Sequence, residues 1–338
     1  MWQLNGSTQN ARLVVNFSKA NKNKFYMNQN RRQFLTATAG FAISISALNQ
    51  LNFGQTKAGT RLILLGTKGG PRVGKGRRNP STLLLINDIP YLVDCGYGTS
   101  LQLIAAGVAL NKLRYIFITH HHSDHNLEYG PLIYNAWATG LPIRIDSYGP
   151  PGLKHMTQTF FEYMKLDIDV RIVDEGRPDP RKLIFAHDFI NSGIVMQNDN
   201  VKVTAAKVRH PLVKQAFAFR FDTKDRSIVI SGDTAYSPEL IGLAKGADVL
   251  VHEVMYLPAL EELIKRVPNA ARFRQHLLAS HSTPEDVGKV ASQAGVKIVV
   301  LNHFVPGDDP SITDEQWTEG VRKYFKGQVI VGKDLMEI

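Results

Sequence analysis

The sequence predicts one α/β domain built on two β-sheets, and three observations predict it. Short β-branched and leucine-rich runs alternate with helical stretches along most of the chain. No segment repeats at a period of ~20–50 residues, which sets aside solenoids and propellers. With 338 residues, 43% hydrophobic and 21% charged, the chain is globular in composition and long enough to bury a sizeable core.

In chain order, strands are expected over residues 61–65, 82–86, 91–93, 115–118, 143–148, 201–205, 216–221, 227–230, 249–251, 298–301 and 329–331. Each is rich in Val, Ile, Leu, Phe or Tyr and ends near polar or turn-forming residues. Helices are expected over 100–106, 153–164, 239–244, 259–267, 284–294 and 314–325. The helix at 284 has the clearest start. Thr283 can cap it, Pro284 suits the first helical position, and Asp286 lies in the first turn.

The formal charge of +10 invites a nucleic-acid reading, but its distribution argues otherwise. Residues 1–60 hold seven Lys/Arg and no Asp or Glu, so the rest carries 33 basic against 30 acidic groups. The excess belongs mostly to the N-terminal stretch, and the body is near neutral. Asn30-Arg31-Arg32-Gln33-Phe34-Leu35 precedes an apolar run over 35–48, too short for the ~18–20 residues of a membrane span. A paired arginine before a weakly apolar stretch resembles a twin-arginine export signal. It predicts periplasmic or otherwise exported location and engagement with the twin-arginine machinery. Residues 1–26 then read as an extension before a start at Met27, 27–50 as the signal-like segment, 51–60 as a linker, and 61–338 as the domain.

The chemistry gathers at strand ends. Thr119-His120-His121-His122-Ser123-Asp124-His125 follows the apolar run 115–118. Four imidazoles and a carboxylate at the end of a strand are hard to explain by structure alone, since a plain turn favours Gly, Asn or Asp. Residues 120 and 122 can converge on one cation while Asp124 and His125 reach a neighbour. Imidazole nitrogen and carboxylate oxygen suit Zn²⁺. Arg209-His210-Pro211, Ser231-Gly232-Asp233-Thr234 and Asn302-His303-Phe304 each place one further ligand-type residue after a predicted strand. The single cysteine, Cys95, excludes an intramolecular disulfide and a thiolate cluster.

With these residues in this order, the chain resembles the metallo-β-lactamase superfamily over nearly all of 61–338. The resemblance implies a four-layer αββα sandwich with metals at one edge of the sheets. It implies two zinc ions, the first held by His120, His122 and His210. Asp124, His125 and His303 would hold the second, and Asp233 would bridge both. Two cations ~3.5–4 Å apart acidify a shared water and polarise the bond under attack. The diiron flavoprotein branch has a carboxylate at the position of His122, so histidine here favours zinc hydrolysis.

Leu250-Val251-His252-Glu253 and Ser280-His281-Ser282-Thr283 look like the His-Glu and His-Ser-Thr motifs of the tRNase Z-like branch. The implied catalytic residues are His281, Glu253 and Asp124, with Glu253 orienting His281 as the acid for the leaving oxygen. His252 reads as structural. Four stretches, among them Gly66-Thr67-Lys68-Gly69-Gly70-Pro71 and Tyr148-Gly149-Pro150-Pro151-Gly152, look similar to exported arylsulfatase-like enzymes. No Gly/Pro-rich tRNA-gripping arm is evident, and residues 151–200 carry six basic against eight acidic groups. The main expectation is therefore an exported dinuclear zinc hydrolase of small sulfate or phosphate esters, with no nucleic-acid partner and a homodimer allowed. The alternatives are a tRNase Z-type phosphodiesterase or ribonuclease, a lactonase or β-lactamase, and a non-enzymatic metal-binding protein.

Several residues invite blander readings. Gly69 to Lys75 nearly spells a phosphate-binding loop but has Gly76 where a hydroxyl is needed. Arg72, Arg77 and Arg78 could attract an anion or be solvated. His121 is expected to be structural or to support a ligand, His155, His187 and His276 to lie at the surface, and Cys95 to be packed. Asp94 is expected to orient a ligand histidine, and Trp137 either packs in the core or stacks on substrate.

Overall fold

The computed structural model describes residues 59–338 apart from 212, 266 and 267. The twin-arginine-like segment, the extension over 1–26 and nearly all of the linker lie outside the described residues.

The first six strands are β1 (Thr60–Gly66), β2 (Ser81–Ile86), β3 (Ile89–Val93), β4 (Tyr115–Phe117), β5 (Ile145–Gly149) and β6 (Ile184–Asp188). They are followed by β7 (Gly193–Gln197), β8 (Val201–Lys207), β9 (Phe217–Thr223), β10 (Ser227–Ile230), β11 (Val249–Met255), β12 (Ile298–Val305), β13 (Gln328–Val331) and β14 (Met336–Glu337). One sheet runs β14-β1-β2-β3-β4-β5-β6 and the other β13-β12-β11-β10-β9-β8-β7. In the first sheet β3 to β6 are parallel, and in the second β10 to β13 are. Asn87 and Asp88, at φ 51° and 62°, make the two-residue turn that joins β2 to β3.

The helices are α1 (Thr99–Ala105), α2 (Ser123–Asn126), α3 (Tyr129–Ala138), α4 (Leu153–Tyr163) and α5 (Lys165–Asp174) in the first half. The second half has α6 (Pro238–Ala244), α7 (Leu260–Ile264), α8 (Ala270–Ser280), α9 (Pro284–Ala294) and α10 (Asp314–Tyr324). Strand alternation sorts them into four layers. Leu62 and Leu64 of β1 face Phe217, Phe219 and Phe221 between the sheets. Ile63 and Leu65 point the other way, under α1, α3 and α4. In β11 the same split sends Val249 and Val251 inward and Leu250 outward, beneath α6, α9 and α10. Each such leucine or phenylalanine contributes roughly 1.5–3 kcal/mol by leaving water. The αββα sandwich implied by the sequence is the observed fold.

Some elements differ from expectation. The helix foreseen over 259–267 is the shorter α7, and α8 follows as a separate helix. Helices α3 and α5 and strands β6, β7 and β14 are not among the expected elements. In α5, Leu-Asp-Ile-Asp-Val-Arg alternates with a strand's period, yet it is helical and buries Ile168 alone. Strands β6 and β7 close the far edges of their sheets and are half-exposed, so their apolar pattern is diluted.

Candidate metal centre

The histidine-rich turn is held by both sheets. Ile118 N–H donates to Tyr148 O at 2.8 Å, and Phe217 N–H of the second sheet donates to Thr119 O at 3.0 Å. His122 then caps α2, which carries Asp124 and His125 inward. Beneath the turn, Asp94 sits in the left-handed region at φ 63°. Its carboxylate accepts from Thr119 N–H at 2.8 Å, Thr119 Oγ1–H at 2.9 Å and His125 Nδ1–H at 2.8 Å. Having given its proton to Asp94, the Thr119 hydroxyl accepts from His120 Nδ1–H at 3.0 Å. One buried carboxylate thus sets the tautomers of His120 and His125, leaving Nε2 of each as the lone-pair donor. The expectation for Asp94 holds in this geometry.

The other donors come from the second sheet. His210 lies in the loop after β8, tied to the Asp233 loop by Ala235 N–H to Arg209 O at 2.8 Å. Gly232, at φ 58°, turns the chain before Asp233. His303 is the extra residue of a β-bulge, since Glu253 pairs with Asn302 and Val254 with Phe304. Its φ of 43° swings the ring off the sheet. A Cβ on Gly69 would lie 2.7 Å from that ring, so only glycine lets the 69–70 loop close over it.

The seven side chains converge as two groups of donor atoms, His120/His122/His210/Asp233 and Asp124/His125/Asp233/His303, each within 4.8 Å. In the second group, Asp233 Oδ1 lies 3.2 Å from His125 Nε2 and 3.1 Å from His303 Nε2. Asp124 Oδ2 lies 3.6 Å and 3.4 Å from the same nitrogens. A tetrahedral cation with ligands at ~2.0–2.1 Å spaces them by about 3.3 Å. In the first group, His122 Nδ1 and His210 Nε2 are 3.1 Å apart, and Asp233 Oδ2 is 3.8 Å from His120 Nε2. Nε2 of His120, His125 and His303 and Oδ1 of Asp233 are buried without a hydrogen-bond partner. Orphaned lone pairs at this spacing fit a divalent metal.

The electrostatics of the two groups differ. Burial lowers the pKa of His120, His122 and His210, the last to about 4. Burial opposes charge on His125 and His303 too, but Asp233, Asp94 and Asp124 outweigh it for His125, and Asp233 and Asp124 raise His303 to about 10. Burial raises Asp124 and Asp233, yet the neighbouring imidazoles hold both below the usual carboxylate range.

Glu253 and His281 stand beside these groups. Met255 N–H donates to Ser282 O at 2.8 Å and Ser282 Oγ–H to Thr234 O at 2.6 Å, fixing the link between α8 and α9. His281 Nδ1–H then donates to Glu253 Oε1 at 3.0 Å, which also accepts from Thr234 N–H at 2.8 Å. Burial lowers the His281 pKa, but the Glu253 charge and hydrogen bond raise it overall. His252 is buried with its Nδ1–H on Glu253 O at 2.7 Å, away from the donor groups.

A cavity of about 330 Å³ opens over the site, lined by His122, Asp124, Asp233, His281 and His303 among others. Lys68, Phe273 and His276 also line it, and sequence reasoning missed all three. His276 was expected at the surface. Instead it is half-buried with its ring 6.0 Å from those of His122, His210 and His281. Its signal was its place on one helical face with Phe273 and Leu277. Arg77 stacks on Phe304 and donates to Gly332 O at 2.7 Å, so it serves packing. Trp137 is core, with Nε1–H on Pro178 O at 2.7 Å, and Cys95 is fully buried. His121 is pinned between Asn126 and Pro150.

The sequence profile of the Beta-lactamase superfamily domain matches residues 90–304. Ribonuclease Z of Mycobacterium sp. (strain KMS) is 33% identical over 282 residues, covering 81% of this chain and 94% of that protein. Ribonuclease Z of Mycobacterium bovis (strain BCG / Pasteur 1173P2) is 31% identical over 280 residues, covering 82% and 97%. Among solved structures, the metallo-beta-lactamase fold protein YhfI from Bacillus subtilis superposes with a TM-score of 0.60 at 20% identity, covering 82% of this chain and 98% of that one. The short form of human tRNase Z superposes at 0.59 and 22% identity, with the same coverage; both show the shared fold.

These relatives correct two expectations. The arylsulfatase-like esterase of small molecules gives way to the phosphodiesterase or ribonuclease alternative, because the long alignments run to proteins named ribonuclease Z. The exclusion of nucleic acid falls with it. Its physical weakness was the charge count over 151–200, since none of those residues lines the cavity, whereas Lys68 and Arg72 do. By its profile, its relatives and its fold, the chain belongs to the metallo-β-lactamase superfamily of metal-dependent hydrolases, in the tRNase Z-like branch.

Proposed function

We propose that the chain is a dinuclear zinc phosphodiesterase that cleaves RNA. The observation that carries the reading is His281, which lines a cavity shared with both donor groups and is held from behind by Glu253 at 3.0 Å. The extended likeness to proteins named ribonuclease Z supports RNA as the ester cleaved. His120, His122 and His210 would hold one zinc ion, Asp124, His125 and His303 the other, and the two oxygens of Asp233 would serve one each. Two bound zinc ions supply Lewis acidity toward a phosphoryl oxygen and make water a nucleophile at neutral pH.

The remaining work falls to the chain's own groups. Glu253 fixes the His281 tautomer and favours its charged form, so the other ring nitrogen can give a proton to the leaving oxygen. The water oxygen bonds to phosphorus as one of its protons passes to solvent, and the bond to the leaving oxygen breaks. The His281 proton completes the released alcohol, and His281 regains a proton from solvent. Asp124, held by Gly70 N–H at 2.8 Å, keeps its carboxylate turned to the reaction centre. A purified zinc-loaded chain should cleave a 3′-extended precursor tRNA and bis(4-nitrophenyl) phosphate, both activities vanishing with a chelator. Hydrolysis of 4-nitrophenyl sulfate with neither phosphodiester touched would overturn this reading.

A further inference from the structure

The cavity over the site has two walls of unlike chemistry. On one side stand Lys68 and Arg72. Lys68 is 3% exposed, and its ammonium rests on the carbonyls of Gly69 and Gly70 at 3.2 and 3.5 Å. On the other side is α8, whose Phe273, His276 and Leu277 all line the cavity. Their spacing of i, i+3 and i+4 places them on one helical face. Leu277 packs in a small cluster with Met255, Leu260, Leu263, Ile264 and Val305, of which Leu263 and Val305 also line the cavity, and Phe273 is partly buried at its margin. The wall is therefore a built surface with its own small core. His276 lies nearer the metal donors, and its Nδ1 is within 3.3 Å of Ser280 Oγ.

We propose that the α8 wall is a nucleobase subsite, in which the base of the nucleotide at the metal centre stacks on Phe273 with His276 at its edge. The choice of a nucleobase rests on the phosphodiesterase reading above. A cavity of about 330 Å³ admits a single nucleotide and not a helix. The basic wall and the metal donors suit phosphate, which leaves the apolar and aromatic wall for the base. Stacking on a ring accepts any base, because every base has a π-face, and it adds substantially to the affinity for each nucleotide. Single-stranded RNA ends are recognised by this combination of aromatic and imidazole groups.

The test compares two ligands that share a phosphate and differ in the base. Binding of adenosine 5′-monophosphate and of ribose 5-phosphate to the zinc-loaded full chain is measured by calorimetry. The nucleotide should bind about tenfold tighter or more. Phe273→Leu, which keeps apolar packing but removes the ring, should bring that ratio close to one, and Phe273→Trp should preserve it. Equal binding of the two ligands by the wild type, or a ratio unchanged in Phe273→Leu, would overturn the subsite. Hydrolysis of bis(4-nitrophenyl) phosphate, measured in parallel, reports on the phosphodiesterase reading separately. Turnover without base selectivity ends the subsite alone, and selectivity without turnover ends the hydrolase reading and leaves the subsite standing.

Discussion

The two donor groups share Asp233 and differ in nearly everything else. His120, His122 and His210 face one another with no second carboxylate in the group, and burial keeps their imidazoles in the free-base form that binds metal. His125 and His303 stand among Asp124 and Asp233, with Asp94 behind His125, and those carboxylates draw protons onto the rings. The first pocket is preset for a cation but offers it little charge. The second offers two carboxylates, which favour a cation there and also favour protons on its imidazoles. The lesson is that one site can give two adjacent donor groups different electrostatics by where it places its carboxylates, without changing the kinds of side chain.

The sharpest way to break this comparison is to remove what the pockets share. Asp233→Ala should empty both of metal and reduce phosphodiester turnover by more than the ~10²–10³-fold that loss of one transition-state stabiliser costs. Metal analysis after gel filtration checks it, and a variant that keeps one full pocket would show that Asp233 serves that pocket only. His281→Ala comes next, because His281, the proposed acid, is not among the seven donors. Turnover of esters with poor leaving groups should fall by ~10²–10⁴ while 4-nitrophenyl esters are nearly unaffected and zinc content holds. Glu253→Gln should give a milder form of the same pattern. A uniform loss across leaving groups would make His281 a support for the site's architecture.

Single-pocket variants sharpen the contrast. His210→Ala leaves one carboxylate in its pocket, whereas His303→Ala leaves two in the other. Each should lose one equivalent of metal, and His210→Ala should lose it at the lower chelator concentration. If either change empties both pockets, the two are a single cooperative unit.

The legible parts of the site were those written locally. His120, His122, Asp124 and His125 fall within six consecutive residues shortly after a strand, and His210 and Asp233 each follow a strand of their own. His303 lies near the end of another, which runs on past the expected residue 301 to Val305. Both sheets were legible where strands are buried on two faces, as in β1 and β11. What could not be read depends on chain folding back. Phe273 and His276 reach the cavity only because α8 ends at His281, which Glu253 holds from another strand. The bulge that turns His303 appears only in the pairing of β12 with β11. Charge summed over a window of sequence misled for the same reason, since the cavity draws its lining from elsewhere.

Below the donors, Asp94 couples the two pockets, and its removal should cost less than loss of a ligand. Asp94→Asn weakens its hold on His125 Nδ1–H directly and on His120 through Thr119. Metal affinity should drop by ~10–100-fold, mostly in the pocket of His125. Competition with a fluorescent zinc chelator resolves the two steps. An equal drop in both would mean that the route through Thr119 is as strong as the direct contact.

Thr119→Val gives the smallest effect and the finest separation. Valine keeps the shape of threonine, and the Thr119 backbone N–H still reaches Asp94 Oδ1 at 2.8 Å, so the turn should hold its path. The 2.8 Å contact between His125 Nδ1–H and Asp94 also survives, which leaves the second pocket as it was. His120 loses the hydroxyl at 3.0 Å that selects its tautomer, whereas His125 loses only a 3.5 Å approach and Asp94 one of its three donors. The His120 proton can then sit on Nε2, where it would oppose a cation. The first pocket should therefore weaken by no more than the low end of the ~10–100-fold range for such supporting contacts. The same chelator titration should show the first step shifted and the second unmoved. A shift in the second step would mean that the Thr119 hydroxyl, by donating to Asp94, also holds that carboxylate against His125, and that the two pockets are less separable than their charges suggest.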